Sequence, residues 1–154
     1  DQIEFMNGYE NVSEVENRGV EVLASLTPTE KLSIDASYTR TEAENKDTDT
    51  QLIRVPKDRA TLSAAYDVTE RASVNATVLY VGPRNDRYFD NSMFTSIDAK
   101  AGAYTVVNLA ASVDVTDSVS VFGRVDNVFD EEYEEIFGYG TAGVSGYGGV
   151  KVTL

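Results

Sequence analysis

The sequence predicts an all-β protein, folded as an antiparallel sheet of about eight amphipathic strands. Two observations lead to this prediction. Apolar residues recur at every second position along most of the chain, the spacing that places alternate side chains on opposite faces of a strand. Short turns and long polar stretches alternate between these segments, so all turns fall at one end of the strands and all long loops at the other. This asymmetry is typical of a transmembrane β-barrel.

Strands are expected wherever the alternation persists, as in "YDVTERASVNATVLYVG", where it continues on both sides of a short polar break. Each segment is close to the ~9–11 residues with which barrel strands cross a bilayer. In chain order the predicted strands are Ile3 to Tyr9, Val20 to Thr27, Leu32 to Thr39, Thr61 to Val68, Ser73 to Tyr80, Tyr104 to Val115, Val119 to Val128 and Ser145 to Leu154.

Three of the breaks are tight turns within one recurring phrase, "LTPTEKLSI", "DVTERASV" and "DVTDSVSV". They indicate one hairpin motif used three times, with turns at Pro28 to Lys31, Thr69 to Arg71 and Thr116 to Ser118. The other breaks are long and rich in Asp, Glu, Asn, Gly and Thr, and these are predicted as loops: Asn11 to Arg18, Glu42 to Lys57, Pro83 to Gly102 and Asp130 to Gly143.

The apolar face has two candidate environments. A soluble barrel or sandwich explains the alternation, because amphipathic strands are usually half-buried in a core. However, the opposite face is mainly Ser, Thr, Asp and Asn, and alanine recurs on the apolar face, which fits a wet lumen and a lipid-facing exterior better than a filled interior. Tyrosines near strand ends are then expected at headgroup level as an aromatic girdle: Tyr38, Tyr66, Tyr80 and Tyr104.

Composition excludes several classes of function. The 26 acidic and 13 basic residues give a formal charge of -13, which disfavours a nucleic-acid partner because phosphate repels such a surface. The chain has no histidine and no cysteine, so a Ser-His-Asp triad, thiolate chemistry and disulfides are all impossible within it. No pair of carboxylates stands out as a glycosidase site. We therefore expect no enzyme activity, no catalytic residues and no cofactor.

The C-terminal run "GRVDNVFDEEYEEIFGYGTAGVSGYGGVKVTL" resembles the end of TonB-dependent outer-membrane receptors. In that family an Asn-aromatic-Asp segment leads into a tyrosine-bearing loop and a final amphipathic strand. The matching positions are Asn127, Phe129, Asp130 and Tyr133 for the segment, Gly143 and Tyr147 after it, and Val150, Val152 and Leu154 for the closing strand that the barrel-assembly machinery reads. Leu154 stands where the family usually has an aromatic residue. Upstream, "NRGVEVLASLTPTEKLSIDASYTRTEAE" and "RVPKDRATLSAAY" resemble earlier strands of the same barrel.

The resemblance implies energised import of a scarce nutrient, such as a ferric siderophore, cobalamin or another metal chelate, across the outer membrane of a Gram-negative cell. Such receptors have about 22 strands around a plugged lumen. Residues 1–154 are then the C-terminal segment of the barrel, with its C-terminus on the periplasmic side and no recognisable plug domain or TonB-binding segment. The implied partners are outer-membrane lipid and lipopolysaccharide, the barrel-assembly machinery, the remaining strands and plug, and TonB through that plug. The alternative is a self-contained eight-stranded barrel with a structural or adhesive role.

Candidate ligand-contact residues lie in the two longest loops, where guanidinium and aromatic groups suit an anionic chelate. They are Arg84, Arg87, Tyr88, Phe89, Tyr133 and Tyr139. Lipopolysaccharide contact or loop packing would use the same residue types. No metal site is predicted. The segment from Asp47 to Asp58 lacks the glycine and the glutamate of a calcium loop, and the acidic run from Asp130 to Glu135 is best explained as a solvated loop. Arg124 and Asp126 are expected to form a charge pair in the lumen.

Overall fold

The computed structural model describes residues 3–5, 9–11 and 14–153, which fold into antiparallel β-structure. In this described part of the chain no helix has the length and hydrophobicity to cross a membrane. The strands are β1 Ile3–Phe5, β2 Tyr9–Asn11, β3 Val15–Thr29, β4 Leu32–Asn45, β5 Thr50–Gln51, β6 Asp58–Thr69, β7 Ala72–Val81, β8 Arg84–Asp90, β9 Thr95–Ala101, β10 Tyr104–Thr116, β11 Val119–Asp126, β12 Glu134–Ile136, β13 Tyr139–Gly140 and β14 Ser145–Val152.

One wall-like sheet contains the long strands in the order β14-β11-β10-β7-β6-β4-β3, with β5 beside β4. Each long strand pairs antiparallel with its neighbour, so the wall follows chain order. This arrangement confirms the predicted meander. The three long connections, 46–57, 82–103 and 127–144, all leave the same end of the wall, and two of them contain small hairpins of their own, β8–β9 and β12–β13.

The three predicted hairpin turns are present, and they share one construction. In each, a threonine hydroxyl accepts a hydrogen bond from the backbone N–H two residues later, which is why the "T-x-x" phrase repeats. The pairs are Thr29 with Lys31 at 3.3 Å, Thr69 with Arg71 at 3.2 Å and Thr116 with Ser118 at 3.2 Å. The last residue of each turn also accepts, through its carbonyl, a hydrogen bond from the neighbouring chain segment: Lys31 from Asp67 N, Arg71 from Asp114 N and Ser118 from Thr153 N, at 2.7–2.9 Å.

The predicted strand from Ile3 to Tyr9 is wrong. Ile3–Phe5 and Tyr9–Asn11 form two strands of a separate two-stranded sheet, so the wall has seven long strands and the short β5 rather than eight long ones. The prediction overlooked Asn7-Gly8, a dipeptide that favours hairpin turns. The predicted loops are also shorter than expected, because β3 already begins at Val15 and β4 continues to Asn45.

The strand register gathers the alternating apolar residues on one face of the wall. Residues directly opposite each other share a face, so the row through Ile34 continues across four further strands. That row is Ile34, Ala64, Ala76, Leu109 and Val125. Many large apolar side chains on this face are exposed, among them Leu62, Leu109, Val113, Val121, Val150 and Val152. Such an extended exposed apolar surface is what a membrane-spanning wall presents to lipid.

The opposite face carries small polar side chains that bond to one another between strands. Ser63 and Thr77 are 3.2 Å apart, and Ser73 and Ser112 are 2.9 Å apart. The predicted Arg124–Asp126 pair also lies on this face, with Nη2 of the arginine 3.4 Å from the carboxylate. This face is therefore the lumen side of the wall.

Two of the four expected girdle tyrosines mark the loop end of the apolar face. Tyr38 and Tyr80 lie in one row, with Ala60 between them. Tyr66 lies on the same face nearer the turns. Tyr104 does not belong to the girdle, because it lies opposite Val81 on the lumen face, where it is buried. The predicted strand was correct, but Tyr104 was assigned to the wrong face, because a shift of one residue moves a side chain to the opposite face of a strand.

The facing assignment generates a first prediction. Val78→Asp and Val121→Asp, both on the apolar face, are expected to weaken membrane insertion by up to about 2 kcal/mol, because the carboxylate would meet lipid, with the smaller effect at Val121, which lies nearer the turns. Asn75→Asp is the matched control, since Asn75 lies in the same strand as Val78 on the lumen face. Folding titrations of the full-length protein into vesicles measure the difference. Equal stability of all three variants would contradict the assignment.

Candidate functional site

The lumen face becomes apolar where it approaches the long connections. Val81, Tyr104 and Val106 form a buried cluster there, with Leu79 packed against it. The connection after β11 folds over this cluster and places the Tyr133 ring on Tyr104, with the ring centres 4.1 Å apart. The connection is therefore anchored on the inner side of the wall.

Asn127 is the first residue of this connection, and its hydrogen bonds fix the path of the backbone there. It is 3% exposed and has a positive φ of 54°, a conformation that asparagine tolerates better than most residues. Its N–H donates to Asn108 Oδ1 at 2.9 Å, its side-chain oxygen accepts from Glu131 N at 2.9 Å, and its side-chain nitrogen donates to Glu131 O at 3.0 Å. The Asn127 backbone thus ties the connection to Asn108 on β10, and the Asn127 side chain ties it to its own next turn.

Asp130 lies near the start of the same connection, and its side chain bonds Val144 at the far end. It also has a positive φ, 53°, and its Oδ1 accepts from Val144 N at 2.8 Å. Gly143 lies against that carboxylate so closely that a Cβ at this position would overlap Oδ1. Of the other resembling positions, Tyr147 stacks under the Arg124 guanidinium at 4.5 Å, whereas Phe129 is exposed. Val150 and Val152 lie on the apolar face of β14, and Leu154 lies outside the described residues.

Arg84 opens the hairpin β8–β9 and is buried, 7% exposed. Its Nε donates to Glu135 O at 3.1 Å, its Nη2 donates to Glu134 O at 2.5 Å, and its guanidinium lies 5.6 Å from the centre of the Tyr104 ring. In this arrangement Arg84 holds two connections together and does not face solvent. Tyr133 also helps to hold its connection in place, since its ring packs on Tyr104.

Asp86 lies two residues further along the hairpin and is 1% exposed. Its carboxylate accepts hydrogen bonds from Arg54 Nε, Arg87 N and Phe137 N, each at 2.7 Å. Burial alone would raise its pKa, but these bonds outweigh burial, and the pKa of Asp86 lies below the usual value. Sequence inspection missed this residue because its partners are 32 and 51 positions away.

The remaining ligand-contact candidates keep an accessible surface. Arg87 forms an ion pair with Asp98 at 2.9 Å near the surface of the hairpin, and Tyr88 stacks on Phe137 with ring centres 5.2 Å apart. Phe89 is exposed, and Tyr139 is 73% exposed in the connection after β11. Two further apolar residues at the hairpin tip, Met93 and Phe94, were not predicted, although both are well exposed.

An acidic hollow of about 620 Å³ lies beside the connection after β11. Its lining includes the acidic residues Asp130, Glu131, Glu132 and Glu134. Among the described residues, no group of acidic side chains is arranged to hold a metal ion. The hollow therefore gives this end of the molecule a negative surface.

The family comparison assigns this architecture. Residues 1–128 match the family model described as "TonB dependent receptor-like, beta-barrel". The chain belongs to the TonB-dependent receptor family. It is 38% identical over 123 residues to the "Vitamin B12 transporter BtuB" of Photobacterium profundum, an alignment that covers 80% of this chain and 19% of that protein. The chain therefore spans about a fifth of the length of this curated relative.

Solved structures of TonB-dependent receptors share the fold at low sequence identity. The pyoverdine receptor FpvA of Pseudomonas aeruginosa PAO1 superposes with a TM-score of 0.79 and 18% identity, over 96% of this chain and 22% of the receptor. The ferric-catecholate receptor Fiu of E. coli K12 gives 0.77 and 20%, over 98% and 23%. The copper transporter OprC gives 0.76 and 22%, over 96% and 25%. TonB-dependent receptors are outer-membrane transporters and receptors rather than enzymes, in agreement with the sequence expectation.

The Asp130–Gly143 contact generates a second prediction. Gly143→Ala is expected to displace the Asp130 carboxylate from Val144 N and to destabilise the connection by about 1–3 kcal/mol, because the added methyl group has no space. Gly140→Ala is the control, since a Cβ there would meet no atom within 4 Å. Hydrogen exchange of residues 128–144 in the detergent-solubilised full-length protein compares the two. A larger increase in exchange for Gly140→Ala would contradict the assignment.

The lowered pKa of Asp86 generates a third prediction. A carboxylate whose folded pKa lies below its unfolded value of about 3.9 stabilises the fold above that pH and loses this contribution as the pH falls through the folded pKa. A spin label at Tyr139→Cys is therefore expected to become more mobile only below about pH 4. Asp86→Asn should abolish this acid-induced change, and a label at Asp117→Cys in a hairpin turn should not report it. An unchanged acid transition in Asp86→Asn would contradict the prediction.

Proposed function

We propose that the full-length protein imports a cobalamin-like metal chelate across the outer membrane, driven through TonB. In this proposal residues 1–154 supply barrel wall, lumen surface and extracellular loops. The main support for this proposal is the 38% identity to a relative described as a vitamin B12 transporter. The receptors compared by structure include importers of quite different chelates, but their identity of 18–22% supports only the fold.

The charge of the loops supports a neutral or cationic ligand. The hollow beside the connection after β11 is acidic, and the chain as a whole has a formal charge of -13. An anionic ferric catecholate would be repelled by this surface, whereas a corrinoid offers amide groups and an apolar macrocycle with little net charge. Among the substrates that the family resemblance implies, this charge favours a cobalamin-like chelate over an anionic ferric siderophore.

The exposed loop residues are the proposed ligand contacts. Phe89 and Tyr139 present aromatic surface, and Arg87 and Tyr88 lie beside Phe89 on the hairpin β8–β9. Arg84 and Tyr133, which the sequence also suggested, act in this proposal through the loops that they hold in place. This division follows from burial, since a ligand reaches only what solvent reaches.

The proposed partners follow from the edges and faces of the wall. The outer strands β3 and β14 have one neighbour each in the described sheet, and we assign their free edges to the remaining strands of the same barrel, because an unpaired edge is not tolerated in lipid. Outer-membrane lipid and lipopolysaccharide would cover the apolar face, and the plug, which contacts TonB, would fill the lumen. The short turns and the C-terminus would lie on the periplasmic side, where the assembly machinery reads Val150, Val152 and Leu154.

A self-contained eight-stranded barrel is the second candidate. It would require β3 to pair with β14, and these strands are the two outer strands of the described sheet rather than partners. The mass of the polypeptide in an outer-membrane fraction separates the two candidates. A mass several times that of 154 residues supports the importer, whereas a mass near that of 154 residues supports the small barrel.

Ligand binding provides the fourth prediction. The full-length receptor in outer-membrane vesicles is expected to bind cyanocobalamin saturably, and Phe89→Ala and Tyr139→Ala are each expected to weaken binding by about 1 kcal/mol or more, because they remove exposed aromatic contact surface. Tyr66→Ala on the apolar face is the control. Equilibrium binding of labelled cyanocobalamin, beside a ferric catecholate, measures these effects.

Uptake then tests the energised step. Accumulation of cyanocobalamin by cells producing the receptor should stop when TonB is deleted, although binding to the outer membrane persists. Binding of the ferric catecholate but not of cyanocobalamin would refute the proposed substrate class and leave the family assignment intact.

A further inference from the structure

Three connections of the chain meet at one buried carboxylate. Asp86 Oδ1 accepts from Arg54 Nε, in the connection 46–57, and from Arg87 N, in its own hairpin. Its Oδ2 accepts from Phe137 N, in the connection 127–144. All three distances are 2.7 Å, and the residue is 1% exposed. Both oxygens are therefore occupied, and each bond beyond its own hairpin reaches a different loop.

Backbone contacts reinforce both of these attachments. Arg54 has a positive φ of 62°, and its own N–H donates to Asn85 O at 2.7 Å, so this residue bonds the hairpin with its main chain as well as its side chain. On the other side, Arg84 donates to the carbonyls of Glu134 and Glu135, immediately before the segment whose N–H bonds Asp86. The segment 134–137 is thus bonded through both its carbonyls and an amide. We call the side chains of Arg54, Arg84 and Asp86 the loop clamp.

The loop clamp behaves as a unit because the Asp86 carboxylate and the Arg84 side chain are buried. The Arg54 side chain, which bonds this carboxylate, is 48% exposed. A buried carboxylate that loses its cationic or N–H partners is strongly destabilised, so intermediate arrangements with one bond broken are poorly populated. The bonds of the clamp also join positions 32 and 51 residues apart, which makes the contact a property of the folded loops and not of local turns. The connections are consequently held in one arrangement without any ligand.

The loop arrangement that the clamp holds also shapes a surface hollow. A hollow of about 360 Å³ lies between the connection 46–57 and the hairpin, with Gln51, Asn85, Arg87 and Lys100 in its lining. Both walls of this hollow are joined by the Arg54–Asp86 contact. The Tyr88–Phe137 stack joins the hairpin to the third connection in the same way. If the clamp opens, these surfaces separate.

We propose that Asp86 is a positioning residue for ligand capture, which assembles the three extracellular loops into a preformed contact surface before the ligand arrives. This inference rests on the proposed function and adds to it the residue that sets the loop arrangement. A ligand meeting a preformed surface binds without paying for loop ordering. When the competent arrangement is only a fraction of the population, the apparent affinity falls by that fraction.

The test compares Asp86→Asn with Asp117→Asn in the full-length receptor in outer-membrane vesicles. Asp117 also accepts from an arginine, Arg71, but it lies in a hairpin turn at the other end of the wall and its side chain is 92% exposed, so its loss should matter little. Hydrogen exchange of residues 52–57 and 134–140 reports the clamp without ligand, and stopped-flow binding of cyanocobalamin reports capture. For Asp86→Asn we expect exchange about tenfold faster and association about tenfold slower, with dissociation changed less. Asp117→Asn should stay within about twofold of wild type.

A double variant separates positioning from general damage. Arg54→Gln should speed exchange of residues 52–57 as Asp86→Asn does, and the combination Arg54→Gln with Asp86→Asn should cost no more than Asp86→Asn alone, because Asp86→Asn already opens the contact that Arg54→Gln removes. Heat-modifiable electrophoretic mobility verifies that each variant assembles. If Asp86→Asn does not assemble, Arg54→Gln takes its place in the same measurements.

Each outcome bears on the inference. Unchanged exchange in the variant overturns the clamp, and faster exchange with unchanged cyanocobalamin association overturns its role in capture. Additive effects of the two substitutions also overturn it. If the wild-type receptor binds no cyanocobalamin but binds a ferric catecholate, the proposed substrate class fails, and the association test is made with the ferric catecholate.

Discussion

The pairing of backbone N–H and C=O groups is the constraint on which the rest of this molecule depends. A wall in lipid has no water to satisfy these groups, so each strand must bond its neighbours along its whole length. The repeated turn construction serves this requirement, since the carbonyl of the last residue of each turn still accepts from the next strand, as Lys31 does from Asp67. Pairing therefore reaches the end of each hairpin, across a register shift just before each turn.

The positions of the charged side chains also fit a wall that faces lipid on one side. In the strands of the wall, the apolar face has no charged side chain between the Tyr66 row and the row of Tyr38 and Tyr80. Immediately beyond Tyr38 the same face carries Arg40, which pairs with Asp58 at 3.3 Å. Four alternating positions from Leu32 to Tyr38 span roughly 20 Å at ~3.3 Å per residue. At a strand tilt of about 35–45° this length is about 15 Å of height, and apolar residues nearer the turns, such as Val113 and Val121, extend it toward the ~25 Å apolar band of an outer-membrane barrel.

Much of the wall could be predicted from the sequence because lipid on one face and water on the other impose a period of two. The turns were predictable for a local reason, a threonine two residues before the N–H that it caps. The loops were not predictable, because their order depends on contacts such as Asp86 with Phe137, 51 positions apart. Tyr104 shows the same limit within a strand. At the first residue of a strand the sequence does not indicate which face the side chain occupies, and only the pairing with Val81 places Tyr104 on the lumen face.

The wall and the loops are joined by the features that made the C-terminal run resemble its family. Asn127 N–H bonds the side chain of Asn108 on β10, so the connection starts at a fixed point on the lumen face. Tyr133 then covers the apolar cluster around Tyr104, which would otherwise be an unfavourable surface in a wet lumen. From there the main chain reaches Arg84 and Asp86. The loop arrangement is therefore set by the register of the strands, and a shift of one residue in β10 would remove Asn108 and Tyr104 from the lumen face and leave the connection without its anchor.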